Sequence, residues 1–94
     1  MAQNVKVEMA SGEMLTAAVR NPDRVRWDIT ASKHKWPSFS DAAFLGMTFM
    51  SWAALKRTGQ YSGEFEKFRD EDCLDIEMVD DEGNPLTEAD LAGE

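Results

Sequence analysis

Fourteen consecutive residues, Ala42 to Leu55, carry no charge. Within them stand Phe44, Leu45, Met47, Phe49, Met50, Trp52 and Leu55. At about 100° per residue, these large side chains cover well over half the circumference of a helix. A helix apolar on nearly every side must be covered on nearly every side, so the rest of the chain has to wrap it or leave part of it to a partner. The run is too short for the roughly 20 residues that span a bilayer. Its ends carry helix signals: Ser40 as N-cap, Asp41 in the first turn, and Phe39 with Phe44 at the positions of a hydrophobic staple. Lys56 and Arg57 complement the last turn, and Gly59 can close it. Ala42, Gly46 and Ala53 fill the remaining, small-residue sector.

The covering elements are legible on either side. Val5, Val7 and Met9 alternate with Lys6 and Glu8, and Leu15, Ala17 and Val19 alternate with Thr16 and Ala18. A turn containing Gly12 separates the two runs, which reads as a β-hairpin. Asn21-Pro22-Asp23 opens a helix expected to reach about Lys35, with Asn21 as N-cap. Val25 and Ile29 form one narrow apolar stripe on it; Trp27, Ala31 and His34 lie on roughly the opposite side. Trp36-Pro37 ends it, because the residue before a proline is pushed out of the α region. Ser62 can cap a short third helix with Phe65 and Phe68 facing inward. Leu74, Ile76 and Met78, alternating with Asp75 and Glu77, read as a third strand with one buried face.

The expected fold is therefore α+β: a three-stranded antiparallel-type sheet in ββαααβ order, with helices packed on one face. Residues 1–79 form a single domain, and residues 80–94 are expected as a flexible acidic tail with at most one nascent turn at Thr87–Leu91. With 94 residues the chain suffices for one domain, and a core of this size holds without staples. Cys73 is the only cysteine, which excludes an intrachain disulfide and fits a reducing compartment. The N-terminus shows no secretory signal pattern, so an intracellular location is expected.

Charge divides the chain. Residues 1–63 carry eight Lys/Arg against five Asp/Glu, a net of +3, and residues 64–94 carry two against thirteen, a net of −11. That balance argues against nonspecific nucleic-acid binding, which needs a positive face. Arg20, Arg24, Arg26, Lys33 and Lys35, with Trp27 and Trp36 among them, make only a weak nucleic-acid signature, because Asp23 and Asp28 interrupt the strip.

Nothing in the chain selects a catalytic group. His34 has no nucleophile set beside it by a motif, and Cys73 reads as a small residue packed at a strand start. Asp70-Glu71-Asp72 fails as a calcium loop, since the fifth and sixth loop positions are Leu74 and Asp75. There is no phosphate-binding glycine loop and no zinc spacing. No enzyme activity, cofactor or metal is expected. Trp27, Trp36, Phe39, Met47, Phe49, Met50 and Trp52 are the candidate contacts for a protein partner, and an aromatic at helical spacing is more often core than interface.

Four segments carry a resemblance: Asn21 to Asp28, Lys33 to Pro37, Ala43-Phe44-Leu45, and Thr58 to Phe65. Over roughly residues 5 to 79 the chain resembles the tail assembly chaperones of long-tailed, siphovirus-type phages of actinobacteria. The resemblance implies a protein of the host cytoplasm, encoded between the major tail protein and the tape measure protein. It also implies binding to the tape measure protein, help in recruiting tail-tube subunits such as the major tail protein, and absence from the finished virion. Members are often also made as a longer, frameshifted product. No nucleic acid or membrane partner is implied, and self-association is left open. Two other readings compete: a structural head–tail or tail component forming a ring through a free sheet edge, and, more remotely, an acidic DNA mimic.

Overall fold

The computed structural model describes residues 3–80 and 82–85. Three strands and three helices follow in the order β1 (Gln3–Met9), β2 (Met14–Val19), α1 (Asn21–His34), α2 (Ala43–Arg57), α3 (Phe65–Lys67) and β3 (Cys73–Val79), with a π-helical turn at Phe68–Asp72 between α3 and β3. The fold is α+β, and β3 pairs antiparallel with β1, giving the strand order β2-β1-β3. Gly12 takes the positive φ that the hairpin turn demands.

Alternation decides the faces of the sheet. Val5, Val7, Met9, Ala17, Val19 and Met78 turn towards the helices and are buried. Lys6, Glu8, Thr16, Asp75 and Glu77 stand exposed on the other face. One irregularity breaks the period on β3. Glu8 pairs with Asp75 but Met9 pairs with Cys73, so Leu74 is an extra residue in a β-bulge. Cys73 takes the place against the core that strict alternation reserves for Leu74. Leu74 is left 61% exposed, which corrects the expectation that it faces inward.

α2 lies against the sheet with α1 beside it. Every residue from Phe49 to Leu55 is buried, so the second half of the helix is enclosed on all sides. Ser51 tolerates that burial because its hydroxyl donates to the Met47 carbonyl at 2.7 Å. The start of α2 differs from expectation. Ser38–Asp41 forms a turn in which Asp41 and Ala42 N–H groups donate to the Ser38 carbonyl, and Ala42, not Ser40, sits at the N-cap position. The staple does not form: Phe44 is 84% exposed, while Phe39 lies against Gly46. A side chain at Gly46 would run into the Phe39 ring, so glycine is what lets that ring rest on the helix.

α1 also presents a different face from the one its apolar stripe suggests. Asp23, Trp27 and Ala31 are buried, and Val25 and Ile29 are 43% and 62% exposed. Its N-cap position is Arg20 rather than Asn21, and the Asp23 carboxylate accepts the Arg20 N–H at 2.9 Å. Asp23 also takes two bonds from Arg57 of α2, Nε at 3.1 Å and Nη2 at 2.9 Å. Arg57 further donates to the Ala18 carbonyl of β2, so one guanidinium ties three elements together. Arg24 Nη2 donates to the Gln3 side-chain carbonyl at 3.3 Å.

The third helix is a single α-turn capped at Glu64, not Ser62, and Phe65 and Phe68 point inward as expected. Beyond β3 the chain turns back. The Asp80 carboxylate accepts the N–H groups of Glu82 and Asn84, and Pro85 bridges Val79. The rest of the acidic tail, residues 81 and 86–94 with the turn expected at Thr87–Leu91, lies outside the described residues. No helix among the described residues is long and apolar enough to cross a membrane.

Candidate functional site

The C-terminus of α1 builds the site's outer wall. Lys35 takes left-handed φ 57°, its N–H donates to the Ser32 carbonyl at 3.2 Å, and the Trp36 N–H donates to the Ala31 carbonyl at 2.8 Å. This is a Schellman closure, and it turns the chain back so that Trp36 packs against the helix it has just left. Pro37 prevents the helix from resuming. A lysine at this φ is strained by roughly 1 kcal/mol relative to glycine. Lys35→Gly is therefore expected to raise stability by up to about 1 kcal/mol, read as a higher urea midpoint with an unchanged slope.

Behind that wall is an aromatic cluster. Trp27 and Trp36 stack with centroids 5.9 Å apart, and Phe39 meets Trp27 edge-on at 6.3 Å. Phe49 sits at the centre, against Trp27, Trp36, Trp52 and Phe65 at 5.2–6.3 Å. These separations lie in the range where tilted and edge-to-face rings attract beyond simple burial. The Trp52 indole N–H donates to the Gly63 carbonyl at 3.0 Å, satisfying the cluster's buried donor. Arg26 and Lys56 lie over the Trp52 ring at 5.0 and 5.4 Å, and Arg69 lies over Phe65 at 5.6 Å. Part of the basic strip seen in the sequence thus serves as a cationic cover on ring faces.

The cluster opens to solvent on one side. A groove of about 650 Å³ runs between α1, the Trp36–Phe39 loop and the sheet. Trp27, Ala31, Trp36, Phe39, Met50 and Met78 give it an apolar floor and wall, and Gln3, Arg24, Asp28, Ser32 and Ser38 give it a polar rim. Apolar walls with a few polar groups at the margin are the usual make-up of a binding site of this volume.

Of the seven residues singled out from the sequence, Trp27, Trp36, Phe39 and Met50 come together along this groove. Phe49 and Trp52 are interior, supporting the groove from beneath. Met47 belongs elsewhere, in a smaller cleft of about 240 Å³ with Phe44, Leu74 and Ile76. Sequence reasoning missed Met78, Gln3 and the rim of α1. No local signal marks them, because the pairing of β3 with β1 is what brings Met78 and Gln3 to the groove.

Burial, then Asp75, pushes the Cys73 thiol up to about 11, the opposite of what a nucleophile requires. The exposed His34 ring stacks on Trp36 at 4.9 Å. Among the described residues no group of His, Cys, Asp and Glu has the arrangement to hold a metal ion.

Tyr61, the only tyrosine, donates to Asp72 at 2.6 Å, and Lys67 meets the same carboxylate at 2.8 Å. Burial first, and the bond to Asp72 second, push the Tyr61 pKa from 10.0 up to about 12. Between those values the folded protein keeps a proton that the unfolded chain releases, so stability is intact below pH 10 and falls as pH rises towards about 12. Tyrosinate absorbance should show one transition near pH 12 in the native protein and near 10.0 in denaturant. A native midpoint near 10 would place the hydroxyl in free solvent.

No family model, no curated protein and no solved structure matches the chain.

Proposed function

We propose that this protein is a tail assembly chaperone of a long-tailed phage, and that it acts by binding, without catalysis. Its client is an amphipathic helical stretch of the tape measure protein, seated in the groove between α1 and the Trp36–Phe39 loop. The groove's half-buried aromatic wall, Trp36 and Phe39 standing over Trp27, carries the reading. Burying it against aliphatic residues spaced i, i+3/i+4, i+7 is the ordinary way one helix is held in a groove of another protein. Met50 and Met78, almost wholly buried at the groove's base, suit a client of varied sequence because methionine can shift its shape beneath the wall residues that meet it. The resemblance supplies the client's identity, and the net charge of −8 would keep the complex soluble.

Co-expression with the tape measure protein tests this. The expected result is a soluble complex of defined mass whose client precipitates when expressed alone. A chain that ignores the client but closes into a ring retained in purified particles would move the reading to a structural tail or connector component.

A further inference from the structure

The two edges of the sheet are treated differently. On β2, the Thr16 carbonyl accepts from Gln60 Nε2 at 3.0 Å and the Ala18 carbonyl accepts from Arg57 Nη2 at 2.8 Å, so side chains occupy that edge. Among the described residues, the β3 edge away from β1 has a backbone partner only at its end, where Pro85 bridges Val79. Asp80 N–H points outward there, to the Asn84 carbonyl, and antiparallel alternation sets the backbone groups of Ile76 on the same side. Among the described residues no strand covers β3 from Leu74 to Glu77, and the Ile76 N–H is met by the side chain of its neighbour Asp75 at 2.9 Å.

The flanks of this open edge are also distinct. Towards the helices lies the cleft of Phe44, Met47, Leu74 and Ile76, with Thr48 and Arg69 at its margin; Phe44 and Leu74 are 84% and 61% exposed. On the opposite face stand Asp75 and Glu77, with Glu8 paired beside Asp75 and Lys6 beside Glu77, so three carboxylates face one ammonium. We propose that β3 is a docking edge for an extended segment of a partner protein in which cationic residues alternate with apolar ones. Added beside β3, such a segment places its Lys or Arg side chains next to Asp75 and Glu77, and the residue between them over the cleft at Ile76. Opposite charges directly across strands attract, and main-chain bonds to the edge supply the rest. The same carboxylates repel a second copy of β3, so the edge selects a basic partner over self-pairing.

The test uses the full chain and a fluorescein-labelled peptide of alternating lysine and valine. Anisotropy is compared with a peptide of the same composition in two blocks and with one alternating glutamate and valine. The expected result is binding of the lysine–valine alternation, at least about tenfold tighter than the blocked order, with the largest amide shifts at Ile76 and its neighbours. Asp75→Lys with Glu77→Lys weakens it by about tenfold or more, and so does Phe44→Asp at a side chain whose exposure leaves folding untouched. No binding, equal binding of the blocked peptide, unchanged affinity in both variants, or shifts confined to the Trp27 groove would each overturn the proposal. So would a dimer of the free protein joined through β3. The groove reading stands or falls separately, since its residues are not altered in these variants.

Discussion

Phe49→Ala is expected to lower stability by about 3–5 kcal/mol, the usual cost of removing a fully buried phenylalanine. Its ring touches Trp27, Trp36, Trp52 and Phe65, which come from α1, the loop after it, α2 itself and α3. No single neighbour can move into the space, because each is held by other rings of the cluster. A domain of this size has only about 5–10 kcal/mol to lose, so the variant should be partly unfolded near its growth temperature. Urea unfolding monitored by tryptophan emission gives the value. Phe44→Ala on the same helix is the control: with 84% of its surface exposed, it should change stability by no more than about 0.5 kcal/mol. Equal losses in the two variants would contradict the burial pattern described for α2.

The second large effect is expected at Asp23. Its carboxylate is almost wholly buried and accepts from the Arg20 N–H and from two nitrogens of Arg57. Asp23→Ala leaves the first turn of α1 without its acceptor and leaves Arg57 with only the Ala18 carbonyl. Loss of a helix-start bond and of a buried ion-pair partner together should cost about 2–4 kcal/mol, the Arg57 share being moderated by its partial exposure. Asp23→Asn keeps an acceptor for Arg20 and loses the charge, so it should fall between wild type and Asp23→Ala. In a double-mutant cycle, Asp23→Ala and Arg57→Ala should be strongly non-additive. Additive losses would show that the two residues act separately.

How much of this was legible in the sequence depends on which link is asked for. The hairpin, the enclosed helix and the third strand follow from apolar periodicity and turn residues. The faces are harder to read. On α1 the local pattern favours Val25 and Ile29, yet the buried stripe is Asp23, Trp27 and Ala31. What turns the helix is a tertiary pair, Asp23 with Arg57, together with the larger area of the Trp27 ring. On β3 a period of two cannot foresee one extra residue, and the bulge exchanges Leu74 for Cys73. At the start of α2, the Ser38–Asp41 turn delays the helix and sends Phe39 to Gly46 instead of Phe44. The aromatic residues of the candidate site were visible as landmarks, but their division into a floor, a support and a separate cleft depends on packing among α1, α2 and β3.

These displacements bear on function. Because Phe39 leaves the staple position, it stands beside Trp27 and Trp36 as one wall of the groove. Because Phe44 and Leu74 are left outside, two exposed apolar side chains stand next to the β3 edge. The two proposed binding surfaces are therefore separable, and variants can address each alone.

The most direct test of the central claim is calorimetric titration of an amphipathic helical segment of the tape measure protein into the wild-type chain, Phe39→Ser and Phe44→Asp. The account predicts that Phe39→Ser weakens binding by about tenfold or more, as expected for losing an aromatic anchor, while Phe44→Asp leaves it unchanged. Equal affinity for wild type and Phe39→Ser, with the loss appearing only in Phe44→Asp, would contradict the assignment of the groove as the client site.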